Sequence, residues 1–390
     1  MAKRRCVWLL CIVASGAMFI FENGAATLVI LSCAVFVPLV FILLSFIGVS
    51  HIKAELNLPG QCAQGEKIEG ELTIKNDGIL SIYNGSITIA CRNMLTGEVS
   101  EISLDFQTMG KSSTKSPLSF SSLHCGKLAL TIVESSAKDI FCLTCFRFSC
   151  DFSQAITVYP EIFPSDITIT ENMTAELDSD RYSTEKPGND PSEIYNIREY
   201  VPGDAIKHIH WKLSQKLDEV MVRDLGLPVA NQILLLMEST AIKGMSDIRE
   251  ANAHSMACAF ASVSSGLLQL GIAHTVGWAR MKSGIPELME ISSFDDWNQA
   301  LEVLLSNTVG RGESTIAGSV KQFHPRLSFA HIVIVTPYIQ PDVFELYNGN
   351  RITLLLASHV EGSLGAGVDG IQIIPFDEKY LDIQLGRLAL

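Results

Sequence analysis

At 390 residues the chain is longer than one hydrophobic core ordinarily serves, so two or three domains are expected. A formal net charge of −13 and a pI near 5.2 supply no basic footprint for nucleic acid and suit protein partners instead. Hydrophobic residues make up 47% of the chain and the mean hydropathy is +0.27, which assigns part of it to lipid.

That part comes first. Met1-Ala-Lys-Arg-Arg5 precedes an apolar run from Cys6 to Phe21, Glu22-Asn23-Gly24 interrupts it, and Ala25 to Val49 is apolar again. The second run is long enough to cross a hydrocarbon core of roughly 30 Å. The first is slightly short at about 1.5 Å per residue, a deficit that snorkelling Lys or Arg side chains make up. A rival reading makes Cys6 to Phe21 a cleaved signal peptide, with small residues at Ala14-Ser-Gly-Ala17. In both readings Lys3, Arg4 and Arg5 keep the N-terminus inside. Residues 1–50 are therefore expected to be a two-pass transmembrane helical hairpin, with the N-terminus and everything from about His51 onward cytoplasmic.

From about Leu58 to Pro160 the pattern is short and alternating. Glu69-Gly-Glu-Leu-Thr-Ile-Lys75, Ser86-Ile-Thr-Ile-Ala90 and Lys127-Leu-Ala-Leu-Thr-Ile-Val133 alternate apolar and polar residues, and Asn76-Asp-Gly78 supplies a turn. Such punctuation predicts an immunoglobulin-like β-sandwich over residues 51–160. The ten cysteines are scattered, and cytoplasmic thiols stay reduced. Cys142-Leu-Thr-Cys145, with Cys150 beyond, is half a zinc spacing without a second pair. Its surroundings, Ile140 to Phe148, read as a half-buried strand in which small apolar cysteines are ordinary.

Residues 161–195 are polar and acidic, as in an exposed linker, and a denser segment occupies 196–228. From 229 to 390 the texture is α/β. Gln232 to Met237 is the continuous apolar run of a strand buried on both faces. Ser246 or Asp247 is placed to cap a helix through Leu270 that stops at Gly271, with Ala251, Ser255, Ala259 and Ser262 as a close-packing face. Ile272 to Trp278 is a further strand. Phe294 to Leu305 is a second helix, carrying Phe294, Trp297, Leu301, Leu304 and Leu305 at helical spacing. His331–Thr336, Ile352–Ala357 and Ile371–Ile374 are three more strands. The alternation predicts a largely parallel, doubly wound Rossmann-type sheet.

The segment between these regions carries the densest chemistry. It reads Arg198-Glu-Tyr-Val-Pro-Gly-Asp204-Ala-Ile-Lys-His-Ile-His-Trp211-Lys-Leu and closes with Val220-Met-Val-Arg-Asp224. Pro202 and Gly203 mark a turn, and Asp204 is placed to cap a helix to about Lys216 with Ile206, Ile209, Leu213 and Leu217 as its buried stripe. On that helix His208 and His210 point about 200° apart and cannot share a metal; on a strand both would face one side. Arg198, Glu199, Asp204 and Arg223 suit an ion-pair lattice, which more often fixes geometry than performs catalysis. With Tyr200, Trp211 and Lys212 the segment reads first as a latch or docking surface.

The pattern Arg-Glu-Tyr-x-Pro-Gly-Asp at 198–204, Ile-His-Trp-Lys at 209–212 and Val-Arg-Asp at 222–224 resembles the signature of the DUF58 family of bacterial membrane-anchored proteins. Asp139-Ile-Phe-Cys-Leu143 resembles the family's Asp-Pro-Phe-Gly-Leu strand opening, with Ile140 and Cys142 departing from it. The resemblance implies a membrane hairpin, a β-sandwich, the signature and a von Willebrand factor A-like domain, in that order. Members are typically encoded beside MoxR-type AAA+ ATPases and transglutaminase-like membrane proteins. A scaffold or co-chaperone role beside such an ATPase is what this implies, with no established activity.

A von Willebrand A-like domain usually holds Mg²⁺ where its first strand ends, through an Asp-x-Ser-x-Ser loop with a Thr and an Asp from later loops. The matching loop here is Met237-Glu238-Ser239-Thr240-Ala241-Ile242, in which Glu238 and Thr240 replace the Asp and the first Ser, while Ile242 cannot ligate. Thr336-Pro337 stands where the Thr-Asp pair is expected, and Thr315 is a distant hydroxyl. No cofactor is expected beyond this degenerate Mg²⁺ position, whose plainer reading has Glu238 and Thr240 capping the following loop.

The leading expectation is thus a non-enzymatic, membrane-anchored interaction protein acting with an AAA+ ATPase in envelope-associated complex assembly. An alternative is a hydrolase or metal-dependent enzyme using His208 and His210, or His254 with Cys258 one helical turn away. Against it, the chain carries no G-x-S-x-G elbow, P-loop, H-E-x-x-H or dinucleotide glycine fingerprint. A metal-dependent ligand-binding receptor is a third reading, and the expected orientation places the domain on the wrong side for it.

Overall fold

The computed structural model describes residues 2–22, 24–150, 152–165, 167–168, 190–201, 204–226, 233–242, 250–279, 285–307, 310–312, 315–325, 329, 331–339, 343, 351–357, 371–377, 381 and 388–389. It divides into two compact units, Met1–Tyr159 and Pro160–Leu390.

The first unit opens with α1 (Ala2–Glu22) and α2 (Ala25–Val49), both long and apolar enough to cross a membrane. Trp8 Nε1 donates to the Ala34 carbonyl at 3.0 Å and ties the two helices together. Nine strands follow: β1 (Ile52–Asn57), β2 (Gln61–Ala63), β3 (Lys67–Asn76), β4 (Ile82–Asn93), β5 (Val99–Thr108), β6 (Ser112–Ser121), β7 (Gly126–Lys138), β8 (Cys145–Arg147) and β9 (Ser153–Tyr159). They make one sheet ordered β1-β3-β6 and another ordered β2-β9-β7-β4-β5, with β8 on β7. Alternation turns Ile68, Leu72 and Ile74 of the first sheet and Ile87, Ile89, Leu128 and Leu130 of the second into one core. Each such side chain contributes roughly 1.5–3 kcal/mol by leaving water. The unit is a β-sandwich, and Val49 at the end of α2 belongs to its core.

Two turns shape this unit. At the expected Asn76-Asp-Gly78 turn, the Asn76 side chain is buried, accepting from Gly78 N at 3.0 Å and donating to Leu80 O at 2.8 Å. The second turn corrects the sequence reading, since Ile140 to Phe148 is not one strand. The buried Asp139 carboxylate accepts from the Phe141 amide at 3.1 Å, the Thr144 hydroxyl at 3.0 Å and the Thr144 amide, bending the chain before β8. Cys142 takes a left-handed conformation with φ of 56° inside this bend.

In the second unit, β10 (Ile167–Thr168) pairs in parallel with β21 (Leu388–Ala389), and β11 (Asp190–Glu199) pairs antiparallel with β12 (Met221–Gly226). Both β10 and the first part of β11 fall within the stretch expected to be linker. The main sheet is ordered β16-β15-β13-β18-β19-β20, from β13 (Ile233–Met237), β15 (His274–Ala279), β16 (Pro286–Ile291), β18 (His331–Thr336), β19 (Arg351–Ala357) and β20 (Ile371–Phe376). All its pairings are parallel except that of β16, an antiparallel edge that sequence reading did not assign. A small parallel pair joins β14 (Thr240–Ile242) to β17 (Gly310–Gly312).

Helices α3 (Trp211–Leu217), α4 (Glu250–Gln269), α5 (Phe294–Ser306) and α6 (Ile316–Phe323) complete the unit. Leu234 and Leu236 of β13 pack with Ile316, Ala317 and Val320 of α6. Trp278, in register with Met237, takes Phe260 of α4 edge-on at 6.3 Å. Alternate residues of β13 thus serve opposite faces, which explains its unbroken apolar run. Helix α4 ends as expected at Gly271, whose φ of 75° lets its amide reach Leu268 O at 2.9 Å; the proposed caps Ser246 and Asp247 lie outside the described residues. In α5, Trp297, Leu301, Leu304 and Leu305 are buried, whereas Phe294 is exposed at the first turn.

Candidate functional site

Arg198, next to the end of β11, grips two carboxylates. Nη1 and Nη2 donate to the two Asp204 oxygens, each at 2.8 Å, and Nε donates to both Asp224 oxygens at 3.2 Å. The register explains the second partner. Arg198 pairs with Val222, so Asp224, two residues along, emerges on the same face. Arg223 pairs with Ile197 on the opposite face. The lattice is therefore Arg198, Asp204 and Asp224, not the expected set with Glu199 and Arg223. Among the described residues neither of those makes an ion pair; Glu199 is exposed, and Arg223 Nε is buried without a hydrogen-bond partner. The Arg198 fork, the Val201 amide at 2.8 Å and the nearby Arg198 and His208 charges hold the Asp204 carboxyl down at about 2. The same Asp204 hydrogen bonds, with Asp224 beside them, push the Arg198 pKa further up.

The expected helix from Asp204 to Lys216 does not form as one element. Asp204 is engaged by Arg198 and Val201 instead of capping, and Ile206–His208 makes a single 3-10 turn. Ile209 is buried and forms an antiparallel bridge with Val222, which interrupts helical continuation. Only α3 is α-helical, and its cap is His210, whose Nδ1 accepts from Leu213 N at 3.2 Å. A neutral ring in that role carries its proton on Nε2. Ser214 Oγ donates to His210 O at 3.1 Å and accepts from Met221 N at 2.8 Å, locking α3 onto β12. The helix ends at Asp218, left-handed with φ of 60°, a conformation that a short polar side chain tolerates. His208 and His210 thus stand on separate segments. Pro202 and Gly203 lie outside the described residues.

This bracing leaves apolar side chains outward. Trp211 is 65% exposed and Ile206 69% exposed, and Tyr200, Val201, Leu217 and Val220 are exposed too; of the stripe expected to be buried, Ile209 is buried, Leu213 is half-buried, and Ile206 and Leu217 are on the surface. Lys207, Lys212 and Lys216 are exposed among them. Aromatic and aliphatic groups concentrated beside positive charge differ from the singly scattered apolar residues of an ordinary surface.

The degenerate metal position lies at the carboxyl ends of β13 and β18, where the strand order reverses. Glu238 is fully buried; its amide donates to Val335 O and its Oε2 accepts from Ile316 N, both at 2.9 Å. Ile316 opens α6, whose cap Thr315 accepts from Gly318 N at 3.0 Å. Glu238 therefore also accepts from the first amide of a helix 78 residues downstream, at the positive helix end. Thr336 Oγ1 donates to Tyr338 O at 2.8 Å, and Thr240 opens β14, its side chain outside the described residues. The described oxygens at this position are one carboxylate bonded to a helix N-terminus and two hydroxyls bonded to backbone, fewer than the near-octahedral set that Mg²⁺ takes.

His254 and Cys258 meet on α4, with Sγ 3.8 Å from each ring nitrogen, and both are buried. Ser255, Ala259 and Ser262 on the same helix are buried as the close-packing face requires, and Ser262 Oγ accepts from Phe163 N at 3.0 Å. Of the half zinc spacing, Cys145 is exposed on β8, while Cys150 is buried and directs Sγ to Ile52 O at 3.7 Å.

No protein-family model matches the chain, and no curated protein matches it. Among solved structures, the CARDB domain of the PF1109 protein from Pyrococcus furiosus is similar over 27% of this chain and 86% of its own, at 12% identity and a TM-score of 0.21. A β-glucosidase from Listeria innocua is similar over 28% of this chain and 16% of its own, at 10% identity and a TM-score of 0.22. The alkylpurine DNA glycosylase AlkC of Pseudomonas fluorescens is similar over 34% of this chain and 38% of its own, at 11% identity and a TM-score of 0.21. Likenesses of this size are too slight to bear on the chain's fold or activity.

Proposed function

We propose that this protein is a membrane-anchored, non-enzymatic interaction protein of the DUF58 kind, whose β11–α3–β12 module docks a MoxR-type AAA+ ATPase on the cytoplasmic side. The observation that carries the reading is the module's construction. Arg198, Asp204, Asp224, His210 and Ser214 are all spent on bracing the backbone, while Trp211 and Ile206 are held outward beside lysines. Rigid exposed aromatics with a charged rim are what protein interfaces use as anchors. Left-handed Cys142 supports the resemblance, because it occupies the position where the family pattern has glycine. In this reading the sandwich is immunoglobulin-like, the α/β unit is von Willebrand factor A-like, and Lys3, Arg4 and Arg5 hold the N-terminus in the cytoplasm.

Crosslinking the full-length protein in its native membrane, followed by mass spectrometry, tests the proposal. An AAA+ ATPase should be recovered with the wild type, and recovery should fall at least about tenfold for Trp211→Ala with Ile206→Ser, a loss typical of two interface anchors. Absence of any ATPase, or equal recovery with the folded double variant, would overturn it.

A further inference from the structure

We propose that the basic end of the helical hairpin retains one anionic phospholipid, with an acyl chain in a groove between α1 and α2 and its phosphate on Arg4. The groove has a volume of about 580 Å³, within the roughly 300–1,000 Å³ range of ligand sites. Val7 and Cys11 line it from α1 and Cys33 and Val37 from α2, while Phe141 and Leu143 supply the remaining wall. Trp8 also lines it, but its indole N–H is satisfied by Ala34 O, so it offers the groove carbon. Arg4 is the one charged side chain lining the cavity. From Arg4 to Cys11 the wall runs about 10 Å along α1 at ~1.5 Å per residue. That shape is one charged end and a long apolar body.

The wall is built, not incidental. Asp139 sets the bend that presents Phe141 and Leu143, and Phe141 packs edge-on against Phe41 of α2 at 5.7 Å. Arg5 Nε donates to Leu143 O at 2.7 Å, fixing the bend to α1. Arg4, its neighbour, has no side-chain hydrogen bond or ion pair among the described residues. An anion placed there also meets the N-terminal end of the 21-residue α1, where the helix dipole is positive.

The occupant follows from the surroundings. Both helices are long and apolar enough to cross a membrane, and on the membrane-anchored reading proposed above, on which this inference rests, the groove opens toward hydrocarbon. A peptide there would leave backbone groups unsatisfied, whereas an acyl chain has none. Basic pockets between membrane helices near the interface select anionic headgroups over zwitterionic ones. The inference is independent of the ATPase reading.

Native mass spectrometry of the full-length chain in detergent, offered phosphatidylglycerol or phosphatidylcholine with identical acyl chains, provides the test. One phosphatidylglycerol should be retained about fivefold over phosphatidylcholine, the preference one basic side chain near a headgroup supplies. Arg4→Gln should erase that preference and Arg4→Lys preserve it, while Val37→Trp should fill the groove and lower retention of both lipids. Glycerol 3-phosphate, the headgroup chemistry without chains, should not displace the lipid. Equal retention of the two lipids by the wild type would sink the proposal without recourse to any variant. So would a preference that survives Arg4→Gln, or displacement by glycerol 3-phosphate.

Discussion

Arg198 and Asp204 face each other through two parallel hydrogen bonds of 2.8 Å, and the same guanidinium reaches Asp224 through Nε. A planar fork can span two carboxylates in this way; an ammonium cannot. Arg198→Lys is therefore expected to loosen the module while leaving the main sheet intact. Amide exchange at Val201, Leu213 and Met221 should quicken several-fold, with β13 and α4 unchanged. Unchanged exchange in the module would show that Arg198 is not its pin. Because Asp204 is held at about 2, below its ordinary 3.8, the lattice's contribution is complete above the ordinary value and disappears as pH falls through about 2.

A second pH effect resides in the sheet. His331 is buried with Nε2 2.9 Å from Thr353 Oγ1, and burial together with the Arg351 charge brings its pKa from 6.5 to about 4. Between those values the unfolded chain binds the proton and the folded chain does not. Stability of the second unit should thus be full above pH 6.5 and fall towards pH 4, by on the order of 3 kcal/mol. Burial shifts His274 in the same direction. Urea midpoints measured across this range should decline in the wild type and less steeply in His331→Gln. A flat wild-type profile would contradict the assignment.

Removing the Glu238 carboxylate strips the Ile316 amide of a buried acceptor. Glu238→Ala is expected to cost about 2–3 kcal/mol, and Glu238→Gln, which keeps an acceptor for the Ile316 amide, about 1 kcal/mol or less. Millimolar Mg²⁺ should leave the wild-type thermal midpoint unmoved. A Mg²⁺-dependent rise abolished by Glu238→Gln would instead identify a cation site.

Cys142 is left-handed, with φ of 56°. Cys142→Gly should relieve the Cβ crowding and stabilise the first unit by up to about 1 kcal/mol, less the extra freedom glycine gives the unfolded chain. Chemical denaturation of both proteins in detergent reads the difference directly; a destabilised glycine variant would show that the bend depends on the thiol.

Much of the fold was legible because its signals are local. The apolar runs of α1 and α2, the alternation of β3, β4 and β7, the Gly271 stop and the continuous run of β13 each record their own immediate surroundings in neighbouring residues. The short edge strand β16 and helix α6 lacked such signals, since Pro286 to Ile291 is only partly buried and Ile316 to Phe323 spans barely two turns.

By itself the sequence determined that the chain has two membrane-length helices, a strand-rich middle and an α/β end, because periodicity and hydropathy act over a few residues. The partnerships at the candidate site were decided only by tertiary structure. Asp224 joins Arg198 because strand register puts residues two apart on one face, and Ile209 leaves the helical pattern because Val222 offers it a bridge. Glu238 serves a helix start 78 residues away because parallel crossovers return that helix to the carboxyl end of β13. Hydrogen bonds and ion pairs are satisfied by whatever the fold brings within about 3 Å, and sequence separation does not constrain that distance.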